Sequence, residues 1–481
     1  MENAPIEPQK QEIVSKRNIK NILIVLIGNI FTIVSSILIG FFVPKMMDLS
    51  DFGYYKTFAL YFEYTTFLSF GLCDGIYLVY AGTSYDKIDK PLFRMFSKIL
   101  ITAQIFFSLI VCGVSAFFIN NNYGFIFFFV GLSILLSNLL NYYQYLSRIT
   151  ERYGELTLRD MLKSIMNICS VIVLFVLFKL GKFDYLSFKI YLIIYVSILT
   201  IIVVIYTINY RGIIFGKSSK VKNELAVIGK AFKAGIPLMI ANFINSFVLI
   251  IDKQFVNILF DNDSYAVYAF AYSMLGFITT AISAISTVLF PVLKRFTSDN
   301  LKEKYIGLIS AITMVVAICL SGYFPICWIC QRYLINYIDA MEYFRIILPG
   351  LMICSPITMI MYNYYKTMDS IMEYFIKSLI VLFVAFVLDL LAYLIFKTPK
   401  AISIASIITF VIWYFVVELK FYRMWKLNYL KNILYLVLIS ASFYGITFIP
   451  NIYLAFGVWL GALIILTIAF QFNIIKNKFR I

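Results

Sequence analysis

The sequence predicts an all-α polytopic membrane protein of about fourteen transmembrane helices, built as two six-helix lobes in pseudo-twofold arrangement plus two C-terminal helices. Three observations predict it. Of 481 residues, 62% are hydrophobic and 14% are charged, and mean hydropathy is +0.88, whereas soluble chains carry about 25% charged residues. Apolar runs of about 20 residues, enough to cross roughly 30 Å of hydrocarbon, recur from Ile22 to the C-terminus with short polar breaks. Finally, FVPKMMDLSDFGYYKTF at 42–58 returns loosely as FVNILFDNDSYAVYAFA at 255–271, 213 positions later. Phe42, Val43, Asp48 and Tyr55 recur as Phe255, Val256, Asp261 and Tyr268, and further back Asn29 and Ile37 stand opposite Asn242 and Ile250.

The spans fall at roughly 21–43, 56–80, 99–119, 124–146, 164–180, 188–207, 236–258, 265–290, 306–329, 345–365, 376–396, 401–419, 433–449 and 451–472. The run opening at Ile22 is longer than a signal-peptide core and lacks a small-residue cleavage pattern, so it reads as a retained first span. Residues 1–208 form an N-terminal lobe of spans 1 to 6. The basic segment 209–235 follows, with Val221, Leu225, Ile228 and Phe232 at helical spacing and Lys222, Lys230 and Lys233 kept polar. That pattern predicts a short amphipathic helix at the cytoplasmic headgroups. Span 7 then enters with the orientation of span 1, which puts the repeated phrase at the outward end of spans 1 and 2 and again of spans 7 and 8. A parallel internal repeat explains both the offset and the topology. Residues 236–432 form the C-terminal lobe of spans 7 to 12, and 433–481 hold spans 13 and 14, which cover one flank, and the tail.

The net charge of +16 invites a nucleic-acid reading. The placement of the charges argues against it: 31 of the 41 Lys and Arg residues fall on the side of the N-terminus. That bias follows the positive-inside rule with both termini cytoplasmic. Histidine is absent, which excludes Ser-His-Asp chemistry and His-ligated metals. Seven cysteines lie mostly inside spans, where a thiol behaves as a small apolar side chain. Cys327 and Cys330 have CxxC spacing but no βαβ context for redox work. Asp261, Asn262 and Asp263 match the DxD pattern of glycosyltransferases but sit in a short outer loop. No cofactor or metal is expected.

Charged groups within a bilayer cost about 2.5–3.5 kcal/mol each at a helix centre, so they face partners or water. Lys56, Glu63 and Asp74 of span 2 are spaced so that, at about 100° per residue, they fall within roughly 20° of one stripe. In span 7, Asn242, Asn245, Ser246, Asp252 and Lys253 rise along one side. These faces predict a hydrated cavity lined by spans 1, 2, 7 and 8, with Lys56 and Lys253 as its cationic lining, Asn29, Asn242 and Asn245 as polar lining, and Tyr268 as an aromatic contact. Helix glue, snorkelling lysines and neutralisation of Asp252 by Lys253 are the structural alternatives. Tyr265, Tyr268 and Tyr272 form an i, i+3, i+7 stripe that suits packing at least as well as sugar stacking. Glu63, Asp74, Asp252 and Asp389 are the acidic groups available to couple an ion.

The stretches LIGNIFTIVSSILIGFFVPKMMDLSDFGYYKTF at 26–58 and GIPLMIANFINSFVLIIDKQFVNILFDNDSYAVYAFAYS at 235–273 resemble the Wzx-type oligosaccharide repeat-unit flippases. These are the polysaccharide export proteins of the multidrug/oligosaccharidyl-lipid/polysaccharide exporter superfamily. The resemblance runs through nearly the whole chain in topology. It implies two lobes that alternate their opening, no enzymatic activity, and a location in the bacterial cytoplasmic (inner) membrane. The implied cargo is a polyprenyl-pyrophosphate-linked oligosaccharide for O-antigen, lipopolysaccharide, capsule or exopolysaccharide assembly. Membrane lipids, a polysaccharide polymerase and chain-length proteins are the implied partners, and nucleic acid is not. The family's cationic cavity points to Lys56 and Lys253. Unlike other members, this sequence has no arginine inside spans 1 to 3. A cation-coupled drug or metabolite exporter of the same fold, and a membrane polymerase or glycosyltransferase, stay open as alternatives.

Overall fold

The computed structural model describes residues 28–118, 120–293, 296 and 298–478. Residues 21–27 of the first expected span, the basic residues up to Lys20, and Lys294 and Arg295 lie outside them. The described regular structure is helical throughout. Eleven of the described helical runs are long and apolar enough to cross a membrane. The other three expected segments are helical as well: one is interrupted (49–80), one is Asn262–Leu293, and Leu430–Ile446 has 17 residues.

The chain divides into two compact units, one of residues up to Met46 with Phe58–Met239, the other of Met47–Thr57 with Ile240–Ile481. The division passes through two helices rather than through a separate linker.

The first unit contains α1 (Gly28–Met46), the inner part of α2 (Leu49–Thr65), α3 (Leu72–Tyr80), α4 (Lys90–Ser115), α5 (Asn122–Ile149), α6 (Tyr153–Lys179), α7 (Phe188–Asn209), the single turn α8 (Arg211–Ile214) and the start of α9 (Leu225–Val248). Side-chain caps fix three of the starts. Asp89 accepts from Leu92 N–H at α4, Asn121 from Tyr123 and Gly124 at α5, and Ser187 from Lys189 at α7; each cap satisfies donors that the first turn leaves open. Gly131 lets α5 approach α4 closely, since a Cβ there would stand 2.5 Å from Cys112 Sγ. At one end of the unit, Tyr143, Tyr206 and Tyr210 stack nearly parallel, and buried Arg159 lies 4.3 Å over the Tyr206 ring.

The expected second span is broken. After Thr65 the helix tightens into a 3-10 turn (Thr66–Ser69), Phe70 and Gly71 turn left-handed at φ 49° and 76°, and α3 begins anew. Backbone freed inside a membrane needs new partners, and two neighbouring helices supply them. Asn138 of α5 donates to Thr65 O at 2.8 Å, and Gln104 of α4 donates to Leu68 O at 2.8 Å. Asn138 also donates to Gln104 Oε1 at 2.8 Å, so one network clamps both carbonyls. Replacing Asn138 by Leu should therefore cost about 1–3 kcal/mol for each acceptor left dry. Thermal unfolding of the purified protein checks this, and an unchanged Tm would contradict it.

The break also sets where α9 docks. A Cβ on Gly75 would stand 1.9 Å from Ala231 O, and one on Gly235 would stand 1.9 Å from Gly71 O. The segment expected as a separate amphipathic helix at the headgroups is instead the first half of the continuous α9, which carries Pro237 and packs backbone to backbone on α3. Helical spacing of Leu225, Ile228 and Phe232 was a true signal of helix; the three glycines decide what it packs on.

The second unit contains Met47–Thr57, the end of α9, α10 (Ile251–Leu259), α11 (Asn262–Leu293), α12 (Ser298–Cys319), α13 (Tyr323–Tyr333), α14 (Ala340–Ile347), α15 (Gly350–Ser355), a π-helical segment (Pro356–Met361), α16 (Tyr362–Thr367), α17 (Ile371–Phe396), α18 (Pro399–Trp425), α19 (Leu430–Ile446) and α20 (Ile452–Lys478). The run α14–α16 is the most buried of the candidate spans at 83%, and its prolines, Pro349 and Pro356, fall where the α-helical ladder changes form. Helices α19 and α20 belong to this unit. Trp459 donates to Ser321, Trp328 donates to Tyr453, and Ser310 and Gln471 both donate to Asn432.

The repeated phrase packs on its own copy here. Asn262 donates to Ser50 O at 2.7 Å, Asn257 to Thr57 at 2.7 Å, and Tyr265 to Lys56 O at 3.3 Å. Phe52 lies against Phe270 and Tyr337, and a Cβ on Gly53 would stand 2.6 Å from Asn262 O. These contacts hold residues 47–57 in the second unit.

Candidate functional site: a buried acidic pair

Helix α9 ends at Val248, the chain turns at Leu249 and Ile250, and α10 starts with Asp252 in its first turn. The interruption turns Asp252 into the unit, where 2% of it is exposed. Tyr268 of α11 and Ser406 of α18 each donate to Asp252 Oδ2 at 2.9 Å, and the Lys253 N–H donates to Oδ1 at 2.7 Å. Asp389, in the second half of α17, is 1% exposed, and neither of its carboxylate oxygens has a hydrogen-bond partner among the described residues. It lies within electrostatic reach of Asp252 and Tyr268. Four helices thus bring together two carboxyls, one fully dressed with donors and one bare. Two buried carboxylates within electrostatic reach repel each other when both are ionised, so the pair is suited to hold a proton or a singly charged cation. Among the described residues no group of three or more His, Cys, Asp or Glu stands together as a metal site.

The other expected site residues are dispersed. Lys56 carries its ammonium 5.1 Å from the Phe52 ring centroid and 5.0 Å from that of Tyr55, and Lys253 lies 5.4 Å from that of Tyr272. Asn242 accepts from Tyr362 and Asn245 from Tyr374, both at 2.6 Å, so these asparagines bind span 7 to α16 and α17. Asn29 is half-buried in α1. Glu63 is exposed, whereas Asp74 is buried and accepts from Tyr145 at 2.7 Å.

Three expectations are corrected. Asp74 does not continue the stripe of Lys56 and Glu63, because counting 100° per residue fails across the left-handed turn at Phe70 and Gly71. Asp252 and Lys253 do not continue the face of Asn242 and Asn245, because the turn at Leu249 and Ile250 resets the register. Tyr268, expected to face a cavity, is fully buried, with its hydroxyl on Asp252. The DxD triplet caps α11: Asp261 accepts from Ser264 N–H at 2.9 Å and from Ser264 Oγ at 2.7 Å, which holds its carboxyl below the usual range. Cys327 and Cys330 are both free thiols. Ser406 had no signal in the sequence, being 154 positions from its partner Asp252.

The fold is shared with solved structures described as transporters of the MOP superfamily. The structure is similar to "Lipid II flippase MurJ, inward closed conformation", with TM-score 0.67 at 15% identity over 95% of this chain and 100% of that one. It is also similar to an inward-facing multidrug-resistance MATE family transporter, with TM-score 0.59 at 11% identity over 84% and 98% of the two chains. A transporter of the same superfamily from Pyrococcus furiosus gives TM-score 0.57 at 11% identity over 86% and 97%. Residues 46–327 match the polysaccharide biosynthesis protein family, and the chain belongs to that family. Among curated proteins, none matches it.

Proposed function

We propose that this protein is a flippase that carries polyprenyl-pyrophosphate-linked oligosaccharide repeat units across a bacterial cytoplasmic membrane by alternating access, with both termini in the cytoplasm. O-antigen, capsule or exopolysaccharide assembly would consume the product. The observation that carries the reading is the conjunction of membership in a polysaccharide biosynthesis family with a transporter fold. The buried pair Asp252 and Asp389 supplies what a carrier needs besides a path, a group that binds an ion in one state and releases it in another. Lys56 and Lys253 are the cations proposed to lower the desolvation cost of the diphosphate. A dianion leaving an inside-negative cell gains roughly 5 kcal/mol per 100 mV, at about 2.3 per charge, so the membrane field favours export and the ion resets the carrier.

The acidic pair equally suits a cation-coupled exporter of drugs or metabolites, so a second reading is kept. Deleting the gene separates the two. Single lipid-linked repeat units should accumulate on the inner leaflet. Normal polymer with altered drug tolerance would favour the exporter, and unpolymerised units exposed outside would indicate a polymerase.

A further inference from the structure

A second buried carboxyl stands apart from this pair. Glu418 lies on α18 twelve residues beyond Ser406, about 18 Å along the helix at 1.5 Å per residue, next to the end that carries Lys420, Arg423 and Lys426. It is 6% exposed. Tyr305 of α12 donates to its Oε2 at 2.6 Å. The Tyr429 hydroxyl lies beside the carboxyl, yet neither that hydroxyl nor Oε1 reaches hydrogen-bond geometry with any described group.

The surroundings are largely aromatic. The Tyr305 ring is enclosed by Tyr364 at 4.9 Å, Phe421 at 4.7 Å and Trp425 at 5.3 Å. The titratable groups facing Glu418 are Tyr305 from α12, Tyr365 from α16, Tyr414 on its own helix and Tyr429 beyond it. The ammonium groups beside Tyr365, those of Lys420 and Lys377, both pair with Glu373, at 2.7 and 2.8 Å. A bare carboxylate in such a place is costly. A proton on the carboxyl removes that charge.

We propose that Glu418 is a second proton-binding site of this protein, bracketed by the Tyr305 and Tyr429 hydroxyls and separate from Asp252 and Asp389. The assignment stands whatever the cargo. When Glu418 holds the proton, the carboxyl is neutral and Oε2 still accepts from Tyr305. When the proton leaves, the carboxylate keeps Tyr305 as a donor and the net charge returns to the ring cage.

Infrared difference spectra of the full-length protein in lipid nanodiscs, recorded over a pH titration in H2O and D2O, test this. One protonated-carboxyl band should vanish in Glu418→Gln and survive in Asp389→Asn. Tyr305→Phe should shift that band to higher frequency without removing it, which keeps the test available if Glu418→Gln does not fold. An identical set of bands in Glu418→Gln, or no shift in Tyr305→Phe, overturns the proposal. So does loss of bound radioactive sodium in Glu418→Gln, because the site would then hold a metal cation.

Discussion

Asp252→Asn and Asp389→Asn should each lower the transport rate on the order of 100-fold, about 2.7 kcal/mol at 1.36 per tenfold, in sealed vesicles driven by an ion gradient. The two carboxyls lie within electrostatic reach of each other, so if they hold one ion together the double variant should be little worse than either single one. Ser406→Ala removes one of three donors on Asp252 and should give a smaller loss, on the order of tenfold, about 1.4 kcal/mol. Stability should move the other way at one position. Asp389 has no partner for either oxygen, so Asp389→Asn relieves an uncompensated buried acid and should leave Tm unchanged or raised while transport falls. Loss of both together would mean that Asp389 is structural.

Gly235→Ala should destabilise the fold by at least about 3 kcal/mol, the upper end of the usual range for overpacking. The added methyl would stand 1.9 Å from Gly71 O and 2.5 Å from Gly75 N. Both are backbone atoms at the left-handed break of span 2, held by Asn138 and Gln104 from behind, so neither can give way cheaply. Gly276→Ala is the control, since a methyl there meets nothing within 4 Å and should be neutral or stabilising by about 0.5–1 kcal/mol through helix propensity. Thermal unfolding in the same detergent compares the two variants. Equal Tm values would contradict the backbone contact between α9 and α3.

The fold class was legible because the bilayer imposes length and apolarity on every crossing, and those quantities survive in composition alone. The two similar phrases that the sequence displays meet in the second unit, Ser50 against Asn262 and Phe52 against Phe270. The breaks were not legible. Phe70 is an unusual residue for a left-handed turn, and nothing local in TFLSFGLCDG announces that Gln104 and Asn138 stand ready to cap it. Once a helix breaks, every face counted across it is lost, which is why the stripe of Lys56, Glu63 and Asp74 failed. Asp252 and Asp389 were visible as charges in apolar runs. Their meeting was not visible, because it depends on the turn at Ile250 and on Ser406 arriving from α18.

The central claim is that a lipid-linked anion crosses the membrane through this protein with the help of the field. The direct measurement places lipid-linked oligosaccharide in the inner leaflet of vesicles holding the purified protein and follows its arrival outside with a sugar-cleaving enzyme. An inside-negative potential of about 100 mV should speed the arrival, and Lys56→Ala combined with Lys253→Ala should slow it. Arrival that ignores both the potential and the two lysines would contradict the account.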